Sequence, residues 1–177
     1  MATAVRERNR SALNRPTALV AFALLAALIA GCSGSDKYGV PLAPTVAGFG
    51  EKIGAVSCDA GGHDAAYHLH AQLAVYLPDG TSTSVPADIG VGSTCMYWLH
   101  THDATGKLHV EAPAATVATL ADFLEIWRRS TNPTIPDAVA AGLAEVRVMG
   151  EVVTDPASIV LTEGLGIEIR VTSFPAR

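Results

Sequence analysis

The stretch from Tyr67 to Leu77 constrains the fold of this chain most strongly, because from Leu69 to Leu77 every second residue is an apolar aliphatic one. Successive side chains of a β-strand point to opposite faces, so this alternation predicts a strand with one face in the core. The opposite, polar face begins with His68 and His70. The turn signal at Pro78-Asp79-Gly80, followed by a returning strand from Thr81 to Val85, predicts a hairpin.

A second hairpin is predicted from Cys95 to Ala112. Cys95–His102 forms its first strand, residues 103–106 form a turn of Asp-Ala-Thr-Gly type, and Lys107–Ala112 forms its second strand. A four-residue turn places His100 opposite His109. A three-residue loop would shift the register by one and turn His109 to the other face, so the apolar pattern favours the four-residue turn.

The rest of the chain predicts one clear helix and further strands. Thr119 and Asp122 have the spacing of a capping box, and an apolar stripe follows them. That stripe consists of Leu120, Phe123, Leu124 and Trp127. A short second helix is predicted over Asp137–Ala141, and alternation predicts strands around Val146 and over Ile167–Val171. This order indicates an α+β fold: a small mixed or antiparallel sheet of two or more hairpins with one packed helix, as in β-grasp folds.

The histidines form the candidate functional site. Two His-x-His pairs, His68/His70 and His100/His102, lie at strand spacing, and His109 is predicted beside them. Imidazole is a ligand that copper and zinc favour, so we predict a copper or zinc ion as the cofactor. Asp103 and Glu111 are predicted to support the ligands as acceptors for imidazole N–H groups or as further ligands.

Each of these residues also has a purely structural interpretation. His68 and His70 are compatible with an ordinary solvated sheet face, and Glu111 with a solvated strand position. Asp103 has the features of a turn residue. His63 lies in a glycine-rich stretch that is typical of a loop.

The N-terminus predicts export and membrane attachment. A basic start is followed by an unbroken apolar run of thirteen residues, Ala18–Ala30, whereas about 20 are needed to span a bilayer. The run ends in Leu28-Ile29-Ala30-Gly31-Cys32, which resembles the lipobox of bacterial lipoproteins. The resemblance implies a signal peptide at 1–31, acylation of Cys32 (palmitate among the acyl chains) and a cell-envelope location. An ordinary secretory signal and a stop-transfer anchor are the alternatives.

After removal of the signal peptide, the mature chain is predicted to consist of a tether and one domain. The flexible tether, which includes Cys32, covers residues 32–50, and the single domain covers 51–177. The mature chain has 8 basic and 16 acidic residues, a net charge of −8 that argues against a nucleic-acid partner. Cys58 and Cys95 form an even pair in an oxidising compartment, which predicts a disulfide. A reduced thiol in a copper site is the alternative.

Several segments resemble an uncharacterised family of prokaryotic secreted and membrane-anchored proteins. They include Tyr67–Leu73, Val85–Val91, Cys95–Asp103, His109–Pro113 and Thr119–Trp127, and together they span most of the domain. That family commonly has a third alternate histidine where this chain has Gln72, which implies one potential ligand fewer. The resemblance implies no established activity.

These observations predict a lipid-anchored domain that binds a metal ion for trafficking, buffering or sensing, without turnover. A metal-independent interaction module of the cell envelope, with an unknown protein partner, is one alternative. The other is a zinc hydrolase or hydratase that uses three histidines, with Glu111 as base.

Overall fold

A mixed β-sheet is built around the alternating stretch that begins at Tyr67. The structure is a computed structural model, and it describes residues 47–60 and 65–176. The predicted signal peptide, the lipidation candidate Cys32, the tether up to residue 46 and His63 lie outside the described residues. Among the described residues, no helix is long and apolar enough to cross a membrane.

Nine strands and two α-helices are found in the described part of the chain. The strands are β1 (Cys58–Asp59), β2 (Tyr67–Tyr76), β3 (Ser82–Thr83), β4 (Met96–Tyr97), β5 (Leu99–His100), β6 (Lys107–Ala112), β7 (Ala144–Val148), β8 (Glu151–Val153) and β9 (Leu165–Val171). The helices are α1 (Leu120–Ser130) and α2 (Thr134–Ala140), and a 3-10 turn covers Pro156–Ser158. The large sheet has the order β5–β6–β2–β9–β7–β8, with β3 paired to β2. A small separate sheet consists of β1 and β4.

The predicted α+β class and mixed sheet are confirmed. Strand β2 lies in the interior of the large sheet, antiparallel to β6 and parallel to β9. Its apolar face is buried with the apolar residues of both helices in one core. The polar face of β2 therefore points away from the helices, toward the outer side of the sheet.

The predicted capping box begins helix α1. The Asp122 carboxylate accepts from the Thr119 backbone N–H at 2.8 Å, and the Thr119 hydroxyl accepts from the Asp122 backbone N–H at 3.2 Å. The predicted apolar stripe is buried together with Ile126. Helix α2 begins at Thr134, earlier than the predicted Asp137, because a proline in the first helical turn removes no intrahelical hydrogen bond.

Two predicted strands are shorter in the structure. The returning strand predicted over Thr81–Val85 is limited to β3. The strand predicted over Cys95–His102 is divided at Trp98, because its neighbours pair with different partners. The Trp98 N–H donates to the Ser57 carbonyl near β1, whereas the Trp98 carbonyl accepts from the Glu111 N–H of β6.

The predicted disulfide between Cys58 and Cys95 is present and joins β1 to the start of β4. The segment before β1 also contacts the domain. The Phe49 ring packs edge-on against Tyr97, with 5.2 Å between centroids, and the Gly50 N–H donates to the Tyr97 hydroxyl at 3.0 Å. These contacts lie within residues that the sequence assigned to the tether.

Candidate metal centre

Six side chains converge on the outer face of β5, β6 and β2, and we call them the histidine cluster. Its members are His68, His70, His100, His102, His109 and Glu111. Strand register brings them together: His70 lies opposite His109, His68 opposite Glu111, and His100 opposite His109 on the other side. Directly opposed residues have Cβ atoms about 4.5–5.5 Å apart, so these side chains are immediate neighbours. The His100–His109 register that the four-residue turn predicted is confirmed.

His100 is completely buried, which alternation alone did not predict. Its Nδ1 lies 2.8 Å from the Tyr97 carbonyl oxygen, and since a carbonyl can only accept, Nδ1 carries the hydrogen. In the neutral ring, the lone pair is therefore on Nε2. That atom lies 3.1 Å from Nε2 of His102, whose side chain is about half exposed. The His100 tautomer is thus set by the backbone in the form that a metal ligand needs.

Contacts with residues 86–90 hold His100 and Thr101 in place. Thr101 is fully buried, and its hydroxyl donates to the Pro86 carbonyl at 2.9 Å and accepts from the Ile89 N–H at 3.0 Å. Gly90 has a φ of +83°, and a Cβ there would lie 2.8 Å from the Leu99 carbonyl oxygen. The segment around residues 86–90 can approach His100 this closely only because position 90 has no side chain.

Glu111 lies at the centre of the cluster. Its Oε1 is 3.1 Å from His68 Nε2, 3.3 Å from His109 Nδ1 and 3.9 Å from His102 Nε2, while its Oε2 is 3.9 Å from His100 Nε2. Burial is the largest single influence on the pKa of Glu111 and raises it. The neighbouring imidazoles, His100 first, together outweigh burial and lower the pKa below its ordinary value. Glu111 is therefore an ionised carboxylate at neutral pH, in a more central position than the supporting one predicted.

His109 is held in its neutral form. Burial lowers its pKa most, and electrostatic interactions with His102 and His70 lower it further, against the opposing effect of Glu111. Its buried Nδ1 is within 3.3 Å of Glu111 Oε1, yet it has no hydrogen-bond partner among the described residues. The Nδ1 and Oε1 atoms are therefore close to each other but not aligned for a hydrogen bond. A buried nitrogen without a hydrogen bond is unfavourable unless another group, such as a metal ion, satisfies it.

Glu163 joins the edge of the cluster from the loop before β9. Its carboxylate accepts from the His70 backbone N–H at 2.8 Å, and its other oxygen lies 3.8 Å from His70 Nδ1. The Gly164 N–H donates to the His70 carbonyl. No local pattern in the sequence identifies Glu163, because its position depends on the long-range parallel pairing of β2 with β9.

Asp103 and Gln72 belong to the turn beside the cluster. The Asp103 carboxylate accepts from the Thr105 backbone N–H and hydroxyl, which lowers the pKa of Asp103. The contacts found for this carboxylate support the turn interpretation rather than the predicted support of an imidazole. Gln72 is the next alternate residue of β2 after His70, and its side chain donates to the Thr105 carbonyl at 2.7 Å. Gln72 thus stabilises the turn instead of supplying a ligand.

The cluster contains two groups of three side chains that could each hold a metal ion. Within each group the potential ligand atoms lie within 4.8 Å of one another. We call His68, His70 and His109 the first triad, and His100, His102 and Glu111 the second triad. A tetrahedral ion with bonds of 2.0–2.1 Å has ligand atoms about 3.3 Å apart. The shortest separations in the cluster, 3.1 and 3.3 Å, are close to that value.

Comparison of the chain with protein-family models, curated proteins and solved structures gives no significant match.

Proposed function

We propose that this chain is a lipid-anchored protein of the bacterial cell envelope that binds copper or zinc for trafficking, buffering or sensing. The observation that carries the proposal is the convergence of five imidazoles and one carboxylate on a single sheet face. Here β5, β6 and β2 bring ligand atoms of three strands to within a few ångströms.

The chemistry of the ligands supports a transition metal. Five of the six candidate ligands offer nitrogen, which suits zinc and copper, whereas calcium and magnesium prefer oxygen ligands. His100 and His109 are prepared as neutral ligands by different means. The Tyr97 carbonyl sets the tautomer of His100, and burial lowers the pKa of His109. The predicted ion is therefore consistent with the ligand set.

The exposure of the outer ligands supports exchange of the metal with its surroundings. The side chains of His68 and His102 are 44% and 51% exposed, whereas His100 is fully buried. Solvent and a partner's ligand can therefore reach a bound ion from one side. A carrier, buffer or sensor needs such access, because it must take up and release the ion without unfolding.

The disulfide and the N-terminal sequence support an extracytoplasmic location. A bond between Cys58 and Cys95 persists in oxidising compartments and is rare in the cytosol. The Leu-Ile-Ala-Gly-Cys sequence that ends at Cys32 supports lipid attachment. Replacement of Cys32 by serine is expected to move the protein from the membrane fraction to the soluble or secreted fraction and to abolish labelling by palmitate. Unchanged membrane association and labelling would contradict the anchor.

Metal retention tests the binding function directly. The full-length chain, purified in a mild detergent, is incubated with Zn²⁺ or Cu²⁺, desalted and examined by elemental analysis. We expect metal to be retained by the native chain and lost when His68, His70, His100 and His102 are replaced together by asparagine. Replacement of His63, the one histidine that was not among the predicted ligands, is the matched control.

The native chain and the control variant are expected to retain equal amounts of metal. Circular dichroism of each variant shows whether the fold is kept, and single replacements of the exposed His68 or His102 provide milder variants. Absence of retained metal in the native chain, or equal retention after removal of the four histidines, would contradict the proposed function.

A further inference from the structure

Glu111 belongs geometrically to both triads. Its Oε1 faces the first triad, at 3.1 Å from His68 Nε2 and 3.3 Å from His109 Nδ1. Its Oε2 is the oxygen closest to the buried His100 of the second triad, at 3.9 Å from Nε2. Oε1 is also the oxygen closest to His102 of the second triad, at 3.9 Å from Nε2. The Glu111 carboxylate thus lies close to nitrogens of both triads, which a bridge between two metal ions requires.

The two triads are adjacent at His109. The His109 ring of the first triad lies 5.7 Å from His100 and 4.6 Å from His102 of the second, measured between ring centroids. Metal ions in two-ion sites are about 3.5–4 Å apart. Two divalent cations at that distance repel strongly, and a carboxylate between them offsets part of the repulsion. Glu111 supplies such a negative charge, because a glutamate carboxyl group is ordinarily ionised at neutral pH.

We propose that the histidine cluster binds a pair of divalent transition-metal ions bridged by the Glu111 carboxylate. This inference rests on the proposed function, since it requires that the cluster bind metal at all. The first ion has three nitrogens and Oε1, which completes a four-coordinate site. The second ion has His100, His102 and Oε2, which leaves a position open to solvent or to an external ligand.

The two ions therefore differ in their expected behaviour. The first ion has four protein ligands and the second has three, so the first ion is bound more tightly. The second site exchanges more readily through its open position, beside the half-exposed His102. The pair thus combines a retained ion with an exchangeable one.

Copper titration of the full-length chain, followed by electron paramagnetic resonance, tests the pair. We expect two Cu²⁺ per chain after desalting at low ionic strength. The first equivalent should give the spectrum of an isolated ion. The second equivalent should broaden or reduce that signal instead of doubling it, because the two unpaired spins interact at a distance of a few ångströms.

Three variants assign the two ions to their ligands. His102→Asn is expected to retain one ion with an isolated spectrum. His70→Asn is expected to weaken the first, tighter binding step at least tenfold. Glu111→Gln removes the bridging charge while keeping the size of the side chain, and should remove the spin interaction. Glu151→Gln, which makes the same exchange at an exposed position of β8, is the matched control and should behave as the native chain.

The outcomes separate this inference from the proposed function. One ion per chain, or two ions whose signals simply add, would overturn the bridged pair and leave metal binding intact. Absence of any bound ion would overturn both. A spin interaction that persists in Glu111→Gln would overturn the bridging role of this carboxylate. If Glu111→Gln does not fold, the stoichiometry and spectrum of the native chain and of the exposed His102→Asn variant decide the question.

Discussion

Replacement of Thr101 by valine tests how the second triad is held in position. Thr101 lies between His100 and His102, and its hydroxyl connects this segment to residues 86–89. The hydroxyl donates to the Pro86 carbonyl and accepts from the Ile89 N–H. Valine has nearly the same shape as threonine but can do neither. The variant therefore removes two hydrogen bonds while leaving the packed volume almost unchanged.

The magnitude follows from the burial of the partners. Ile89 is fully buried, so its N–H loses its hydrogen bond without access to water. A buried polar group left without a partner costs about 1–3 kcal/mol. The Pro86 carbonyl is only partly buried, and water compensates part of its loss. We therefore expect the free energy of unfolding to fall by about 2–4 kcal/mol.

Chemical denaturation of the metal-free protein measures this effect, with Thr101→Ser as the matched control. Serine keeps the hydroxyl and loses only a methyl group, so its free energy of unfolding should fall by less, about 1 kcal/mol. The valine variant should also bind metal more weakly, because His100 and His102 are no longer fixed. A valine variant as stable as the native protein, or a serine variant destabilised equally, would refute this reasoning.

Three further predictions concern the turn, the ionisation of the cluster and the disulfide. Gly106→Ala should lower the free energy of unfolding more than Gly80→Ala, because both positions have positive φ but only at Gly106 would a Cβ collide with backbone, the Leu73 carbonyl oxygen; equal losses in chemical denaturation would contradict this. The pKa of His109 is lowered below its ordinary value of about 6.5, so the unfolded chain binds the proton more readily. Stability should therefore fall as the pH drops from 7.5 to 5.5, less so in His109→Gln, and identical pH profiles would contradict the assignment. Alanine at both Cys58 and Cys95 should lower the free energy of unfolding by about 3–4 kcal/mol, as expected for a link across 37 residues, whereas a loss below about 1 kcal/mol would contradict this.

Local patterns were sufficient to predict the parts of the site that depend on one or two neighbouring strands. Alternation identified the polar face of β2 with His68 and His70, and turn chemistry gave the register that places His100 beside His109. With Cys32 assigned to lipidation, Cys58 and Cys95 remain as one pair, and this predicted the disulfide. Each of these features is determined by residues close in sequence or by a simple count.

The remaining features depend on contacts between distant segments. Alternation assigns His100 to a face, but its complete burial comes from residues 86–90 and from the division of the predicted strand at Trp98. Glu111 has the pattern of a solvated strand residue, and only the three-stranded arrangement shows that it lies at the centre of the cluster. Glu163 reaches His70 through the parallel pairing of β2 and β9, which no local pattern indicates.

Nuclear magnetic resonance of the ¹⁵N-labelled imidazoles, with and without Zn²⁺, reports on each ring nitrogen separately and so tests metal binding by the histidine cluster. We expect zinc to change the resonances of the five cluster histidines and to leave those of His63 unchanged. For His100 we expect a proton retained on Nδ1, which donates to the Tyr97 carbonyl, and a metal-bound Nε2. Imidazole spectra that are identical with and without zinc, or a change confined to His63, would contradict metal binding by the cluster.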